Sequence, residues 1–290
     1  MAGWGGVLLR CRRVGARSAC TGWCGRWLAR SWRRWSGPRP SATGATWSPT
    51  AWARCWPVGG GTVHARGKPP SMSRPPDFDR VAAVYPVLET ALAFGWMQRA
   101  RRVLAAWIED SRHPLLAGEG PGRLLAALKR RRPVGPVTVV DASGGMLRRA
   151  RRAWEREGGD ADDVRFVHAD LRVWSPPAGV HDAVALPFVL DCFTGPELRD
   201  VAARFARGLP EGGCLVWADF NVPGGWRAFP ARALIRLLYA FFGVATGLGV
   251  RRLEDPSPAL AAAGLRRHQA RFLAGGLLRV ERWERGTGRP

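Results

Sequence analysis

Short apolar runs alternate with helix-forming stretches along most of the chain after Pro76. The runs are bounded by Gly and Pro, and the stretches between them place apolar residues at helical spacing. The predicted elements are, in order, helix 79–101, helix 101–109, strand 113–117, helix 122–131, strand 137–140, helix 146–157, strand 164–168, strand 183–187, helix 196–209 and strand 214–219. Apolar strands joined by helical crossovers form a parallel sheet with helices on both faces. We therefore predict a doubly wound α/β domain whose ligand lies at the carboxyl ends of the strands.

The carboxyl-terminal part of the chain has a different pattern. Residues 266–273 and 277–284 each alternate between apolar and polar side chains, and two glycines at 275 and 276 lie between them. This pattern predicts a β-hairpin. One strand of the hairpin would then run antiparallel to the rest of the sheet, so the sheet as a whole is expected to be mostly parallel.

Residues 1–71 differ from the rest of the chain in composition. They hold 12 basic residues and no acidic one, together with eight of the 15 Trp and four of the six Cys. The short apolar run at 7–9 leads directly into Arg10, so a secretory signal is not predicted, and the helical periodicity of a transit peptide is poor. We expect a low-complexity, disordered extension, or a translation start at Met72.

The net charge of +22 suggests nucleic acid at first, but residues 72–290 carry only +10 of it. The basic residues are 43 Arg and two Lys, beside abundant Gly, Ala and Pro, which is typical of a GC-rich coding sequence. We therefore do not expect nucleic acid as a partner of the folded part. The six scattered cysteines lack the paired spacing of zinc ligands, so we predict reduced thiols, no metal site and a cytoplasmic protein.

A glycine-rich loop follows the first predicted strand. Gly118, Gly120 and Gly122 alternate with Glu119 and Pro121 before the next helix begins. Glycines at such positions allow positive φ angles and let a ligand approach the backbone at the positive end of a helix. The nicotinamide-binding fingerprint requires a different spacing of its third glycine, so hydride transfer is not favoured.

Acidic residues end the next two strands of the predicted sheet. Asp141 follows strand 137–140 about twenty residues after the glycine loop, and Asp170 follows strand 164–168. A carboxylate after the second strand can accept hydrogen bonds from ribose hydroxyls. Because strand 183–187 ends at the same edge of a parallel sheet, four strand ends are predicted to converge on one site.

This set of motifs resembles the class I S-adenosylmethionine-dependent methyltransferases of the small-molecule type, over essentially residues 77–290. The matching segments are the glycine loop, VVDASGGML at 139–147, VRFVHADL at 164–171, HDAVALPFVLDCF at 181–193 and LPEGGCLVWADF at 209–220. The resemblance implies a Rossmann-like methyltransferase fold with a seven-stranded sheet, and S-adenosyl-L-methionine as cofactor. It implies residues 72–112 as leading helices and 113–290 as the methyltransferase domain.

The resemblance also implies cofactor contacts at particular positions. The amino-acid part of the cofactor would lie against Gly118, Glu119, Gly120 and Gly122, and the ribose against Asp141. The adenine would be bordered by Ala142, Ser143, Met146, Asp170 and Leu171, with Pro187 and Phe188 near the methyl group and Tyr85 helping to cover the cofactor. One departure is Leu116, where the family usually has an acid. Glu119 would take over part of that missing role.

The acceptor is less well defined by the sequence. The Asn-Pro-Pro-Tyr type motif of amino-group nucleic-acid methyltransferases is absent at 186–189. An apolar insertion at about 223–255 would be a lid over a hydrophobic pocket, a dimer contact, an interfacial helix or ordinary core, and its arginines argue against a membrane span. If a base exists, Asp191 or Tyr239 is the candidate, against helix capping and packing roles.

We predict methyl transfer to a small acceptor, with a hydrophobic one favoured by the insertion. Two alternatives remain open. A methyltransferase-like protein without catalysis is suggested by Leu116, and an RNA methyltransferase is suggested by the basic runs 130–132 and 148–152. The sequence does not predict an oligomeric state, a catalytic residue or the identity of the acceptor.

Overall fold

The fold is known from a computed structural model that describes residues 79, 95–131, 136–247, 249–250 and 252–286. The predictions made for residues 1–71, for Tyr85 and for most of helix 79–101 lie outside the described residues.

A seven-stranded sheet forms the centre of the described part of the chain. Its strands are β1 (Pro114–Ala117), β2 (Val137–Asp141), β3 (Val164–His168), β4 (Ala183–Pro187), β5 (Cys214–Phe220), β6 (Leu265–Leu273) and β7 (Leu278–Arg285). The strand order is β3-β2-β1-β4-β5-β7-β6, in which β1 to β5 are parallel and β7 is antiparallel to both of its neighbours. This topology confirms the predicted mostly parallel sheet with a terminal hairpin.

Helices cover both faces of the sheet. They are α1 (Trp96–Trp107), α2 (Arg123–Lys129), α3 (Gly144–Arg156), α4 (Gly195–Gly208), α5 (Ala228–Thr246) and α6 (Ser257–Ala262). The predicted boundary between two helices at Arg101 is wrong. Helix α1 runs through this residue because Ala100, Leu104 and Ala105 bury one continuous face on both sides of it.

The core has two layers, one on each face of the sheet. Neighbouring residues of β1 point in opposite directions, as the pleat of a strand requires. Leu116 packs with Leu124 and Trp154 on the α1–α3 side, and Leu115 packs with Phe205 on the α4 and α6 side. All five side chains are fully buried. Double-sided burial fixes the parallel strands, and it therefore fixes the loops at their carboxyl ends.

The strand order reverses between β1 and β4, since the chain proceeds from β1 to β2 and β3 on one side and from β4 to β5 on the other. Loops that leave adjacent strands in opposite directions open a crevice at this point, where α/β proteins bind their ligands. The glycine loop after β1 and the segment after β4 border this crevice.

Candidate functional site

The glycine loop after β1 contains three residues in the left-handed region, with φ of 67°, 68° and 88° at Gly118, Gly120 and Gly122. A Cβ atom at Gly118 would lie 2.4 Å from the Val189 side chain, and one at Gly122 would lie 2.6 Å from Cα of Ala150. A Cβ atom at Gly120 would meet no heavy atom within 4 Å. The outer two glycines are thus required by packing, whereas Gly120 leaves its backbone open to a ligand.

Glu119 lies between two of these glycines and is only 1% exposed. Its Oε1 atom accepts hydrogen bonds from the backbone nitrogens of Leu124 at 2.7 Å and Leu125 at 3.0 Å, at the start of α2. Its Oε2 atom is buried and has no hydrogen-bond partner among the residues that the structure describes. Burial raises the pKa of Glu119 to about 7, although the nearby Arg101 charge opposes the increase. A buried oxygen of this kind would be satisfied by a bound cationic donor.

Asp141 ends β2 and is directed at the glycine loop. Its Oδ2 atom accepts a hydrogen bond from Gly120 N, and its Oδ1 atom accepts one from Ser143 N, each at 2.9 Å. Burial raises the pKa of Asp141, and these two backbone donors oppose that increase. Each carboxylate oxygen can accept a second hydrogen bond, so Asp141 can also accept from ribose hydroxyls. The structure brings the second strand end and the glycine loop together, as the strand order requires.

Ser143 caps the start of α3. Its Oγ atom accepts a hydrogen bond from Met146 N at 3.0 Å and donates one to Asp79 Oδ1. Asp79 also accepts from Gly145 N at 2.7 Å, and its pKa is lowered first by the Ser143 bond and then by the Gly145 bond. Sequence reasoning did not single out Asp79 for this site, and its only signal was an acid in the leading segment. Of the residues assigned to the adenine border, Ala142 is exposed, while Ser143 and Met146 are buried.

Asp170 shapes the turn that follows β3. Its Oδ1 atom accepts a hydrogen bond from Arg172 N at 2.9 Å, and its carbonyl oxygen accepts one from Trp174 N at 2.8 Å. Leu171 is 4% exposed and packs into the core on the α4 side. Both residues lie at the carboxyl edge of the sheet, and their contact with an adenine ring stays a prediction.

Phe188 follows Pro187 at the end of β4 and has a positive φ of 58°. This conformation is strained for an aromatic residue, and such strain occurs often at binding sites. Its nitrogen donates a hydrogen bond to Ala218 O at 2.7 Å, which holds the strained backbone in place. The guanidinium carbon of Arg101 lies 5.0 Å from the centre of the Phe188 ring, a cation–π contact at the crevice between β1 and β4.

A second polar cluster lies at the ends of β4 and β5 and was only partly predicted. Asp191 N donates to Asp219 Oδ2 at 3.1 Å, and the Tyr239 hydroxyl donates to Asp191 Oδ2 at 3.5 Å. Burial raises the pKa of both aspartates, and the charge of Asp191 raises that of Asp219 further. The structure thus joins the two sequence candidates for a base. Asp219 was missed, although an acid near the end of the fifth strand must lie at the same edge.

Tyr239 of this cluster also lines a cavity of about 500 Å³ beside helix α5. The residues lining it are Val222, Arg232, Ile235, Arg236, Tyr239, Arg252 and Leu253. Three arginines therefore face an otherwise largely apolar space. Such a lining suits a small molecule with an anionic group and an apolar body. In the part of the chain that the structure describes, no group of three His, Cys, Asp or Glu side chains could hold a metal ion.

Residues 115–213 match the sequence profile of a family described as a methyltransferase domain. This range begins in β1 and ends just before β5, so it contains the glycine loop, Asp141, Asp170 and the strained segment at Phe188. Residues 115–213 thus carry a methyltransferase domain. The seven-stranded topology agrees with this assignment, and Rossmann-like methyltransferase folds share it.

Curated relatives of the methyltransferase domain include two trans-aconitate 2-methyltransferases. The one from Afipia carboxidovorans is 37% identical over 98 residues, which are 34% of this chain and 34% of the relative. The one from Azoarcus sp. strain BH72 is 34% identical over 119 residues, which are 40% of this chain and 43% of the relative. The chain thus matches less than half the length of these relatives.

Solved structures of other methyltransferases share the fold. Mitomycin 7-O-methyltransferase has a TM-score of 0.56 at 20% identity, with 72% of this chain and 61% of that chain covered. Human N-acetylserotonin methyltransferase, solved with S-adenosylmethionine, has a TM-score of 0.51 at 16% identity, with 71% and 56% covered. At these identities the likeness concerns the fold alone.

Leu116 stands where the resemblance to methyltransferases leads one to expect an acid. Leu116 is fully buried in the core on the α1–α3 side and offers no polar atom to the crevice. Glu119 is the one acidic residue of segment 115–122. Its unpartnered Oε2 atom is therefore the one carboxylate oxygen of this loop still able to accept a hydrogen bond from a ligand without an existing partner.

Proposed function

We propose that the methyltransferase domain binds S-adenosylmethionine in the crevice between β1 and β4. The support is the fit of three features to this molecule: the open backbone of Gly120, the orphaned Oε2 atom of Glu119, and the free lone pairs of Asp141. Glu119 would accept from the ammonium group and Asp141 from the ribose hydroxyls. When bound, the cofactor supplies a methyl group on a positively charged sulfur, which is reactive towards nucleophiles.

The acceptor, in this proposal, is a small organic anion with a hydroxyl group, bound in the cavity beside Tyr239. The observation that carries this step is the presence of Arg232, Arg236 and Arg252 around an otherwise largely apolar space at the carboxyl edge of the sheet. Arginine guanidinium groups recognise carboxylates and phosphates through paired hydrogen bonds. The curated relatives support an anionic acceptor, since trans-aconitate is a carboxylate anion.

The Asp191–Asp219 pair would accept the proton that an acceptor hydroxyl loses on methylation. Two adjacent buried carboxyl groups titrate as a unit, and their raised pKa values bring the pair closer to neutral pH. A base is most effective when its pKa lies near the working pH. Tyr239 lines the cavity and its hydroxyl contacts Asp191, so this residue would orient the reacting oxygen towards the pair. Positioning of the two reactants would supply much of the remaining rate.

Calorimetric titration of the full chain with S-adenosylmethionine and S-adenosylhomocysteine tests the first step. Binding that Asp141→Ala abolishes would support the cofactor site, and its absence in well-folded protein would contradict it. Turnover is then measured with pairs of hydroxylated acceptors that are alike except that one member carries a carboxylate and the other does not. Cofactor binding without methylation of any acceptor would favour the alternative of a binding protein without catalysis.

A second candidate, RNA methylation, is favoured by one observation. A groove of about 1080 Å³ runs between α2 and α3 and is lined by five arginines, at 123, 130, 149, 152 and 156. Two glutamates, Glu155 and Glu157, also line it, and Glu157 pairs with Arg130 at 2.8 Å. Salt-dependent RNA retention that the double variant Arg149→Gln/Arg152→Gln loses would support this candidate. Retention unchanged in that variant would count against it.

The proposed location is the cytoplasm. The two described cysteines, Cys192 and Cys214, are free thiols. Free cysteines are typical of reducing compartments, which supports the proposal.

A further inference from the structure

Helix α5 presents apolar side chains on two opposite faces. One face is buried against the domain through Ala231, Ile235, Leu238 and Tyr239. The opposite face, together with the short turn before the helix, carries a row that we call the outer stripe: Trp226 (79% exposed), Phe229 (81%), Leu237 (64%), Phe241 (38%) and Val244 (89%). At about 100° per residue these five side chains fall within a sector of about 120°, and they extend along the whole helix.

The outer stripe is unusual for this protein. Five of the nine large hydrophobic residues that are exposed in the described part of the chain belong to it, and the other four are scattered over different elements. Single exposed apolar side chains are normal, but a continuous apolar row is a sign of a surface that contacts something. The charges around the outer stripe indicate which kind of partner it contacts.

The charges around the stripe favour an anionic surface. Between Asp219 and Glu254 the sequence contains five arginines and no acidic residue. Arg227, Arg232 and Arg236 are exposed along the helix itself. A second copy of the chain would oppose these positive charges to one another in a symmetric interface, whereas anionic lipid headgroups would attract them.

The geometry indicates a helix that lies along a bilayer rather than one that crosses it. Segment Gly225–Thr246 is long and apolar enough to span a membrane by length and composition, and 22% of its most apolar window is buried in the domain. Since one face is packed on the domain and Arg232 and Arg236 lie near the middle, lipid cannot surround the helix without burying charge. Trp and Phe on one face with arginine beside them are typical of interfacial helices.

We propose that helix α5 docks this chain on an anionic bilayer surface, with the outer stripe inserted at the boundary between headgroups and acyl chains. The arginines beside it would lie at the level of the lipid phosphates. The inference is independent of the proposed methyl transfer. If both hold, the arginine-lined cavity would open beside the headgroup layer, because Arg232 and Arg236 also line that cavity.

Local insertion depth is the decisive measurement, because the Trp- and Arg-rich residues 1–71 could bring the chain to vesicles by themselves. A fluorescent noncanonical amino acid replaces Val244 in the full chain. In a separate protein it replaces Phe272, which is 59% exposed on β6 and serves as the control. Each protein is mixed with phosphatidylcholine vesicles, with or without phosphatidylglycerol, that contain lipids brominated on the acyl chains. Quenching then reports contact with the acyl region.

We expect quenching at 244 with the anionic vesicles, little quenching with phosphatidylcholine alone, and none at 272. Phe229→Ser should raise the lipid concentration needed for half-maximal quenching at 244 about tenfold, because the variant lacks a large aromatic side chain that partitions into lipid. Phe272→Ser should leave it unchanged. Both replaced side chains are mostly exposed, so neither change should alter the fold, and circular dichroism verifies this.

Three outcomes would overturn the proposal. The first is no binding to anionic vesicles, and the second is binding without quenching at 244, which would assign attachment to another segment. The third is a label at 244 that is shielded from solvent in the absence of lipid, together with a dimer in sedimentation velocity that the Phe229→Ser variant does not form. That result would assign the outer stripe to a second copy of the chain.

Discussion

The backbone nitrogen of Gly120 donates a hydrogen bond to Oδ2 of Asp141 at 2.9 Å. This bond ties the loop after β1 to the end of β2 across two adjacent parallel strands. It places Gly120, the one glycine of this loop with open space at its Cβ position, beside the carboxylate that would hold a ribose. The glycine loop and the acid are 21 residues apart in sequence, so only the parallel pairing of β1 with β2 brings them together.

Replacement of Asp141 should weaken cofactor binding. Asp141→Ala removes two charge-assisted hydrogen bonds to the loop backbone and the predicted bonds to the ribose, and each such bond is worth about 1.5–3 kcal/mol. We expect the Kd for S-adenosylhomocysteine to rise at least tenfold in calorimetry. Asp200→Ala removes an exposed carboxylate of α4 that pairs with Arg204, and this control should bind normally. Equal affinity in the two variants would contradict the assignment.

A methyl group at Gly120 should block the cofactor without disturbing the fold. Gly120→Ala and Gly158→Ala introduce the same side chain at φ of 68° and 70°, and neither new Cβ atom meets a neighbour within 4 Å. Both should lose about 1 kcal/mol of stability through backbone strain. Only Gly120→Ala should lose cofactor binding. Normal binding by Gly120→Ala would show that the ligand does not approach this part of the loop.

Glu119 should make the protein less stable as the pH rises. Its pKa is about 7 in the folded chain against an ordinary 4.5, so between these values the unfolded chain releases the proton first and the free energy of unfolding decreases. Below pH 4.5 Glu119 is protonated in both states, and above pH 7 it is ionised in both. The decrease in the free energy of unfolding is therefore complete above pH 7. The stability of Glu119→Gln relative to wild type should increase by about 3 kcal/mol across this window.

Urea unfolding of both proteins at a series of pH values measures this difference. A constant difference between them would mean that Glu119 ionises normally in the folded state. Cofactor titration of the same variant separates the two roles of this residue. Glu119→Gln keeps an oxygen for the α2 nitrogens but cannot offer a carboxylate to an ammonium group, so it should fold well and bind S-adenosylmethionine more weakly.

Removal of the proposed base should reduce turnover more than binding. Asp191→Asn keeps the shape of the side chain but removes the carboxylate beside Asp219 and Tyr239. General-base catalysis typically contributes 10²–10⁴-fold, so we expect kcat to fall by about that factor with KM changed little. The wild-type rate should also fall as the pH drops through the raised pKa of the carboxyl pair, and this fall should disappear in the variant. An unchanged pH profile would assign Asp191 a packing role.

The arginines of the cavity should determine acceptor affinity by charge. Arg236→Gln should raise KM about tenfold for an anionic acceptor and leave KM for its neutral ester nearly unchanged, because a hydrogen bond to a charged group contributes about 1.5 kcal/mol or more. Arg199→Gln, an exposed residue of α4 away from the cavity lining, is the matched control. A loss of equal size for both acceptors would indicate that Arg236 supports the cavity wall rather than the anion.

Local sequence patterns were sufficient for the seven strands and for the glycine loop and Asp141 at the crevice. Strands 164–168 and 183–187 were predicted with the residues they have in the structure. The second is an unbroken apolar run, as a strand buried on both faces requires. The hairpin also follows from its pattern and its two glycines. Asp79, Asp219 and the sharing of the Tyr239 hydroxyl with Asp191 were not predicted. No periodicity or spacing connects these residues, which are far apart in the chain.

The sequence by itself determined the mostly parallel sheet, the glycine loop, the acids at the strand ends and the apolar, arginine-containing insertion. Each of these follows from interactions between neighbours in the chain: periodic burial, the backbone freedom of glycine, and charge composition. Only the tertiary structure decided which face of α5 is buried, where the arginines converge, and that Glu119 has one partnered and one unpartnered oxygen. Those properties depend on how distant segments pack, and packing sets both desolvation and the direction of each side chain.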